Sequence, residues 1–454
     1  MVSIDACLER LLRRLPLGSR LVALQNRLAS FIEQGIQGVA NVLVNVILAR
    51  SLTHRDFATI GMMLGIHYFV IGMHRSAVVL PFILDASSDE RAAASAEGRW
   101  WWFNLLSVAA IACLLALATL VTMLIAPGPE RAWFRDALSL SIIVTPALIL
   151  FEFGRRILYQ RRLPVTAAVA SLAYLVLNLG IAFLDTRSNA TPASGAMAWV
   201  GAGLGGAMIA TIAAPPGRPV FGAGLRVWWA NRHFAFWQAL TNFPYAVYNS
   251  SVAVIVGIFG GAPAVAAFTA ARTLTNPAIS MVTAVDSLDK PRAARSLASG
   301  GIPGLRRSIG RTRRLLALIT GLYLGAIILF TGPVMHLAFG DVYANQVNEI
   351  RVLALAFFMI CMNQPSETKL IVLRASKLLL VTRLVAATFA IASLAVGSKY
   401  GLMGSCLALL STHVVNLSGL RLGEWVAERR WLRADVEAGR PTASSEAVGE
   451  KVSS

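Results

Sequence analysis

Residues 100–125 read WWWFNLLSVAAIACLLALATLVTMLI, a run without a single charged side chain. A helix of about 20 apolar residues crosses a bilayer, so this run predicts a membrane-spanning helix. Similar runs recur along most of the 454 residues, which are 56% hydrophobic and only 14% charged. Soluble domains carry about 25% charged residues, and this composition therefore excludes a soluble multidomain protein. The sequence predicts an all-α, polytopic membrane protein.

Twelve membrane-spanning helices are predicted, which we number as spans 1 to 12 in chain order. Their ranges are 28–49, 57–82, 100–125, 137–159, 164–184, 194–214, 234–258, 263–288, 314–333, 350–372, 378–397 and 401–424. No loop between them is long enough to fold as a separate domain. We therefore expect a cytoplasmic amphipathic N-terminal segment, an N-lobe, a basic cytoplasmic inter-lobe linker, a C-lobe and a disordered cytoplasmic tail. Their bounds are 1–27, 28–214, 215–233, 234–424 and 425–454.

The positive charges indicate the orientation of these spans. With both termini in the cytoplasm, most of the 41 Lys and Arg residues fall in cytoplasmic segments, including a dense run at 290–314. This asymmetry follows the positive-inside rule and requires an even number of spans. The rule also accounts for the net charge of +18 without a nucleic-acid partner. For most of these residues, setting the topology and contacting anionic lipid is the simpler role.

The cysteines give no sign of a cofactor. The sequence holds four, at positions 7, 113, 361 and 406, and their spacing is not that of metal ligands or of a disulfide framework. We expect neither a metal nor another cofactor.

Polar residues repeat between the two halves of the chain. Span 1 and span 7 carry polar or small residues at i, i+4, i+7 and i+11, and the two sets keep one constant offset. The sets are Gln34, Gly38, Asn41, Asn45 and Gln238, Asn242, Tyr245, Asn249. An arginine precedes a proline in span 2 (Arg75) and in span 8 (Arg272). Because odd spans match odd spans, the pattern predicts two six-helix lobes related by a parallel internal repeat.

Three stretches resemble the polysaccharide and lipid-linked oligosaccharide flippases of the multidrug/oligosaccharidyl-lipid/polysaccharide (MOP) exporter superfamily. They are 35–61 (GIQGVANVLVNVILARSLTHRDFATIG), 151–178 (FEFGRRILYQRRLPVTAAVASLAYLVLN) and 261–296 (GAPAVAAFTAARTLTNPAISMVTAVDSLDKPRAARS). The likeness covers nearly all of the chain, in layout and apolar pattern.

The resemblance implies a twelve-helix fold with two lobes around a central cavity. It also implies alternating access that moves lipid-linked oligosaccharide of the undecaprenyl-pyrophosphate type to the outer leaflet of a bacterial inner membrane. The implied partners are membrane lipid, H+ or Na+ as a coupling ion, and polysaccharide polymerase or export proteins.

Polar side chains are costly inside a bilayer, so each should line a cavity or have a partner. The amides Gln34, Asn41 and Asn45 of span 1 suit the hydroxyl groups of a sugar. Span 7 carries the same chemistry in Gln238, Asn242 and Asn249. Hydrogen bonding between helices is the alternative role for these amides.

Two arginines are candidate ligands of a pyrophosphate. Arg272 lies near the middle of span 8, and its guanidinium fork fits phosphate oxygens. Arg75 lies closer to the cytoplasmic end of span 2 and could extend to the interface instead. Pairing with a carboxylate or with carbonyls at a helix end is the alternative for Arg272.

Acidic side chains of spans 1, 4, 8 and 10 are candidates for gating or ion coupling: Glu33, Glu152, Asp286 and Glu367. Carboxylates in spans can carry protons or bind sodium. Ordinary ion pairing with nearby basic residues is the alternative. A third interpretation is a cytoplasmic gate that these acids form with Arg155, Arg156, Lys290 or Arg292.

Two other functions compete with a flippase. One is a multidrug or small-molecule cation antiporter of the same superfamily, which favours an apolar, acid-bearing cavity; the two intramembrane arginines argue for the flippase. The other is a membrane polymerase or glycosyltransferase using the same carrier lipid. Such enzymes need catalytic residues on large outer loops, and the outer loops here are short, so we expect a transporter and not an enzyme.

Overall fold

The structure is a computed structural model that describes residues 5, 18–86, 90–125, 128, 131–186, 190–216 and 222–437. Most of the predicted N-terminal segment 1–27 and the end of the predicted tail lie outside these residues. The described chain is all-α, as predicted, and contains no strand.

The α-helices of the described residues, in chain order, are α1 Gly18–Ser51, α2 His54–His74, α3 Leu80–Ala86, α4 Glu90–Ile125, α5 Ala132–Gln160, α6 Pro164–Thr186, α7 Pro192–Ala213, α8 Ala223–Tyr245, α9 Val252–Thr275, α10 Pro277–Leu329, α11 Thr331–Phe339, α12 Val347–Val372, α13 Ser376–Gly397 and α14 Gly401–Glu437. Two π-helical turns join neighbouring helices. The turn Arg75–Val79 connects α2 to α3, and the turn Ala246–Ser250 follows α8.

Ten helical stretches among the described residues are long and apolar enough to cross a membrane. Two of them, Ala223–Thr275 and Ser376–Arg433, have 53 and 58 residues, and each is divided by a break. The first breaks at Gly261, whose φ is 74°. The second breaks at the 3-10 turn Ser398–Tyr400, just before Gly401 with a φ of 73°. Each therefore holds two spans, and the prediction of a twelve-span membrane protein is confirmed.

Several helices extend beyond the predicted spans, because hydropathy reports burial in lipid and not helix formation. The predicted loop 289–313 is helical within α10, where only Gly300 and Gly301 leave the helical conformation. The predicted linker 215–233 is helical from Ala223, and the predicted tail is helical to Glu437. Arginine, leucine and alanine favour a helix in water as well as in lipid.

The chain forms two compact units. The first unit holds Met1–Thr273 together with Ala338–Tyr343, and the second holds Leu274–Leu337 and Ala344–Ser454. Spans 1 to 7 and the start of span 8 thus belong to the first unit. The lobes 28–214 and 234–424 were inferred from the sequence repeat, and as such they stay predictions.

Helix packing repeats between the units. In the first unit, span 4 (α5) packs against spans 3 (α4) and 6 (α7), and span 5 (α6) packs against span 6. In the second unit, span 10 (α12) packs against span 12 (α14) and against α10, which contains span 9. Span 11 (α13) packs against span 12. The same partners recur six spans later, which supports a duplicated unit.

The turn that ends span 4 has an unusual residue at its left-handed position. Arg162 has a φ of 58°. The N–H of Leu163 donates to the carbonyl of Leu158 at 2.8 Å, and the N–H of Arg162 donates to the carbonyl of Tyr159 at 3.0 Å. This is the hydrogen-bond pattern of a Schellman motif, in which glycine usually takes the left-handed position.

The turn that ends span 10 is built in the same way. Arg374 has a φ of 55°. The N–H of Ala375 donates to the carbonyl of Leu370 at 2.9 Å, and the N–H of Arg374 donates to the carbonyl of Ile371 at 3.0 Å. An arginine in the left-handed region at corresponding turns is a second, backbone-level sign of the repeat.

The left-handed conformation of Arg374 predicts which of two variants at this position is more stable. A non-glycine residue in the left-handed region costs roughly 1–2 kcal/mol. Arg374→Gly should therefore have a free energy of unfolding about 1 kcal/mol higher than Arg374→Ala. Unfolding of the purified protein in detergent measures the difference. At Lys377, which lies in α13, the alanine variant should instead be more stable than the glycine variant. Equal stability of Arg374→Ala and Arg374→Gly would contradict the assigned backbone strain.

Candidate functional site

Glu33 of span 1 is fully buried, and four side chains satisfy its carboxylate. One guanidinium nitrogen of Arg155 lies 2.6 Å from Oε1. The hydroxyls of Ser171 and Tyr159 donate at 2.7 and 2.9 Å, and the amide of Gln37 donates at 2.6 Å. Buried charges persist only when they are paired and hydrogen-bonded, and Glu33 meets this condition using spans 1, 4 and 5.

Glu152 of span 4 is the second acid of the same cluster. Its Oε2 accepts from Arg155 at 2.8 Å. Its Oε1 accepts from Arg75 of span 2, with a shortest distance of 3.0 Å, and from Arg156, one turn along span 4, at 2.8 Å. The Arg155 side chain is 9% exposed, whereas those of Arg75 and Arg156 are 49% and 34% exposed.

We call Glu33, Glu152, Arg75, Arg155 and Arg156 the charge cluster. Three guanidiniums face two carboxylates within it, so the positive charges are in excess. The helical spacing of span 4 explains this geometry, because residues three and four apart share a face and Glu152 therefore meets both arginines of its own helix. The cluster joins spans 1, 2 and 4 in the interior of the first unit.

Arg272 lies near the end of α9, just before the break in span 8. Its guanidinium nitrogens lie 3.3 Å from the carbonyl oxygen of Asn249 and 3.4 Å from that of Ser250. Both carbonyls belong to the π-turn of span 7. The guanidinium carbon also lies 5.3 Å from the ring centroid of Tyr68, a cation–π contact. The carbonyl contacts are long for charge-assisted hydrogen bonds, which are usually about 2.7–2.9 Å.

Tyr68 contacts one of the two predicted arginine ligands and shares a helix with the other. It lies on span 2, two turns before Arg75, and so on the same helix face. Its ring contacts the Arg272 guanidinium. The first unit therefore places Tyr68 against Arg272 and on the same helix face as Arg75.

Each of these arginines also lies at a π-turn. Arg75 is the first residue of the π-turn in span 2, and Arg272 contacts the carbonyls of the π-turn in span 7. The amide of Asn242 in span 7 donates to the carbonyl of Gly72, just before the span 2 turn, at 3.0 Å. Such turns often occur at functional sites in membrane and soluble helices.

The predicted amide stripes both lie in the first unit. Gln34 and Asn41 are half-buried, whereas Asn45 is buried and donates to the carbonyl of Asn41 at 2.7 Å. On span 7, Gln238 is half-buried. The half-buried Asn249 donates to the hydroxyl of Tyr245 at 3.1 Å.

The other two predicted acids lie in the second unit and are paired there. Asp286 contacts Lys290 at 2.6 Å and accepts from Gln364 at 2.6 Å. Glu367 of span 10 contacts Arg383 of span 11 at 2.6 Å. Each acid thus has a basic partner in its own unit. The role of the four acids in gating or ion coupling stays a prediction.

Sequence reasoning missed several members of these networks. Gln37 and Ser171 satisfy Glu33, and Tyr68 contacts Arg272. In the second unit, the buried Lys369 pairs with Glu424 at 3.0 Å, near the cytoplasmic end predicted for span 12. The contact of Gln37 with Glu33 could have been predicted, because the two residues lie one helical turn apart. The contacts between distant spans could not, because no sequence spacing indicates them.

Comparison with solved structures identifies the fold of the chain. No family model and no curated protein matches the sequence. Solved structures do match. An inward-facing multidrug resistance MATE family transporter of the MOP superfamily is 14% identical with a TM-score of 0.65, covering 89% of this chain and 98% of its own.

Two further structures show the same fold. The lipid II flippase MurJ, in an inward closed conformation, is 12% identical with a TM-score of 0.65, covering 87% of this chain and 86% of its own. A MOP superfamily transporter from Pyrococcus furiosus, described as having a binding pocket of reverse polarity that suggests a different function, is 15% identical with a TM-score of 0.60 over 90% and 94%. The chain therefore has the fold of these three solved transporters.

The charge cluster predicts unequal costs for two neighbouring arginines. Arg155→Ala would leave two buried carboxylates without their shared partner, which typically costs about 3–5 kcal/mol. Arg156→Ala removes a half-buried partner while Glu152 keeps Arg75 and Arg155, so we expect a loss below about 1 kcal/mol. Unfolding of the two purified variants in detergent measures both. Equal losses would mean that Arg155 is not the hub of the cluster.

Proposed function

We propose that this chain flips a polyprenyl-pyrophosphate-linked oligosaccharide from the cytoplasmic to the outer leaflet of a bacterial inner membrane by alternating access. The observation that carries the proposal is that Arg272 lies against Tyr68 of span 2, the span that also carries Arg75, within the first unit. A pyrophosphate that crosses a membrane loses its hydration, and fixed cations must offset that loss. Guanidinium groups do so with two parallel hydrogen bonds to phosphate oxygens.

The contacts of Arg272 fit a residue that exchanges partners. Its carbonyl bonds of 3.3 and 3.4 Å are longer than the Arg–carboxylate bonds of the charge cluster, which are 2.6–3.1 Å. A phosphate would offer shorter, charge-assisted bonds in their place. The Tyr68 ring would keep the guanidinium in position during the exchange.

The amides of spans 1 and 7 suit the glycan part of this substrate. Gln34, Asn41, Gln238 and Asn242 are half-buried and present donors and acceptors along two helices. Sugar hydroxyls need both kinds of partner. We propose that these residues contact the sugar next to the pyrophosphate.

Two structural likenesses favour different substrates. MurJ is a lipid II flippase, which agrees with the proposal, whereas the MATE protein is a multidrug resistance transporter. The alternative function is therefore a multidrug or small-molecule cation antiporter, and the buried Glu33 and Glu152 favour it. However, arginines neutralise both acids, and the excess positive charge of the cluster repels a cationic drug.

The proposal also covers orientation and partners. Both termini lie in the cytoplasm, H+ or Na+ serves as the coupling ion, and polysaccharide polymerase or export proteins act on the delivered glycan. The charge distribution along the sequence supports the orientation.

The decisive test is substitution of Arg272. Arg272→Ala should abolish export of the glycan while expression and membrane insertion stay normal, because no fixed charge replaces the lost guanidinium. Arg272→Lys should restore only part of the export, because the charge remains and the bidentate geometry does not. Glycan at the cell surface is measured with the variants expressed at native level. Normal export by Arg272→Ala would refute the flippase mechanism and favour the antiporter.

The orientation has its own test. Single cysteines placed at Arg307 and Arg311 of the basic segment should react with a membrane-impermeant maleimide only after the inner membrane is opened. Both positions are exposed, so their labelling reports sidedness and not burial. A cysteine at Arg131, in a predicted outer loop, should react in intact spheroplasts. Labelling of position 307 in intact spheroplasts would invert the assigned topology.

A further inference from the structure

One carboxylate oxygen of the charge cluster accepts hydrogen bonds from two separate guanidiniums. Nε of Arg75 lies 3.1 Å from Oε1 of Glu152, and Nη2 of the same residue lies at 3.0 Å. Nε and Nη2 of Arg156 donate to the same oxygen at 3.0 and 2.8 Å. The second oxygen of Glu152 is taken by Arg155. Four N–H groups therefore converge on one oxygen atom, which has only two lone pairs.

The two guanidiniums that share this oxygen are also the accessible ones. The side chains of Arg75 and Arg156 are 49% and 34% exposed, whereas that of Glu152 is only 4% exposed. A guanidinium carries five N–H donors, and two of them serve this oxygen in each arginine. The other N–H groups of each guanidinium are not engaged with this oxygen, and both side chains are accessible.

This geometry suits an acceptor with more oxygen atoms than a carboxylate. A phosphate group has three terminal oxygens and a charge near −2, so it can give each arginine its own oxygen pair. Glu152 supplies one shared oxygen and a single charge. The cluster also has more positive than negative charge, so an added anion is not repelled.

We infer that Arg75 and Arg156 form a phosphate-binding site at one end of spans 2 and 4, which the Glu152 carboxylate fills until a phosphate group displaces it. The site is separate from the contacts of Arg272. Arg155 stays paired with Glu33 during the exchange, because both are buried and lie 2.6 Å apart. That the phosphate belongs to a lipid-linked glycan rests on the proposed function. That the site binds a phosphate group rests only on the geometry of the arginines.

The inference predicts opposite signs for two substitutions. Inorganic pyrophosphate is titrated, with calorimetric detection, into the full-length protein reconstituted in phosphatidylcholine nanodiscs. Arg156→Gln removes a ligand and should weaken binding by about tenfold or more. Glu152→Gln removes the competing carboxylate and should tighten binding by about tenfold. A purely structural ion pair would not give tighter binding when its acid is removed.

Arg161 provides a matched control. It follows the same helix, its side chain is 30% exposed, and it pairs with Glu97 at 2.7 Å. Arg161→Gln should leave pyrophosphate affinity within about twofold of the parent, because Arg161 is not a ligand and the loss of one distant, screened positive charge has little influence on binding.

Several outcomes would overturn the inference. Glu152→Gln that folds but binds pyrophosphate no more tightly than the parent would leave Glu152 as a structural partner only. Equal affinities of Arg156→Gln and Arg161→Gln would remove Arg156 from the site. If Glu152→Gln does not fold, the comparison of these two arginine variants decides.

The source of the phosphate is tested separately. The titration is repeated in nanodiscs that contain phosphatidylglycerol. If a lipid headgroup occupies the site, the apparent affinity for pyrophosphate is lower there than in phosphatidylcholine, and Arg156→Gln abolishes this difference between the lipids. Equal affinity in the two lipids assigns the site to a pyrophosphate-type ligand, and either result supports phosphate recognition. Loss of export in Arg272→Ala with no change in pyrophosphate binding by Glu152→Gln or Arg156→Gln would refute this site and leave the proposed flippase function standing.

Discussion

The pairing of Arg155 with Glu33 and Glu152 is the interaction on which the rest of the first unit depends. A hydrocarbon environment offers no water to an unpaired charge, so spans 1 and 4 can hold these acids only while the guanidinium lies between them. Once Arg155 satisfies the inner acid, Glu152 retains one oxygen for Arg75 of span 2. A single buried residue thereby fixes three spans against each other and determines which arginines are accessible.

The positions of the accessible residues Arg75 and Arg156 depend on this buried pairing. Arg75 is held at the start of a π-turn by Glu152, and Tyr68 of the same helix face lies against Arg272. The result is a succession of cationic and aromatic groups along span 2, from the charge cluster to the break in span 8. The proposed flippase function rests on Arg272 and Arg75, and the proposed phosphate site rests on Arg75 and Arg156, so the two proposals share Arg75.

The sequence was sufficient for the architecture because the bilayer imposes simple rules on composition. Apolar length located the spans, and the offset between Gln34 and Gln238 indicated a duplication that the helix packing supports. Intramembrane charges identified Arg75, Arg272, Glu33 and Glu152 as candidates. Hydropathy could not predict the helical segment around Gly300, which lies in a charged stretch outside the predicted spans. Pairing choices, such as Ser171 with Glu33, depend on helix rotation and register, which one sequence does not encode in any local pattern.

The π-turn at Arg75–Val79 has a consequence for how this chain can vary. A π-turn accommodates one residue more than an α-helical turn, and each residue rotates a helix by about 100°. The turn therefore behaves as a one-residue insertion that is absorbed locally, so that His54–His74 and Leu80–Ala86 keep the relative rotation of a continuous helix. A related chain that lacks the extra residue would form an ordinary α-helical turn here and keep the face that bears Tyr68 in place relative to α3. Single-residue gaps at this point in an alignment of related chains would thus be expected without any rearrangement of the flanking helices.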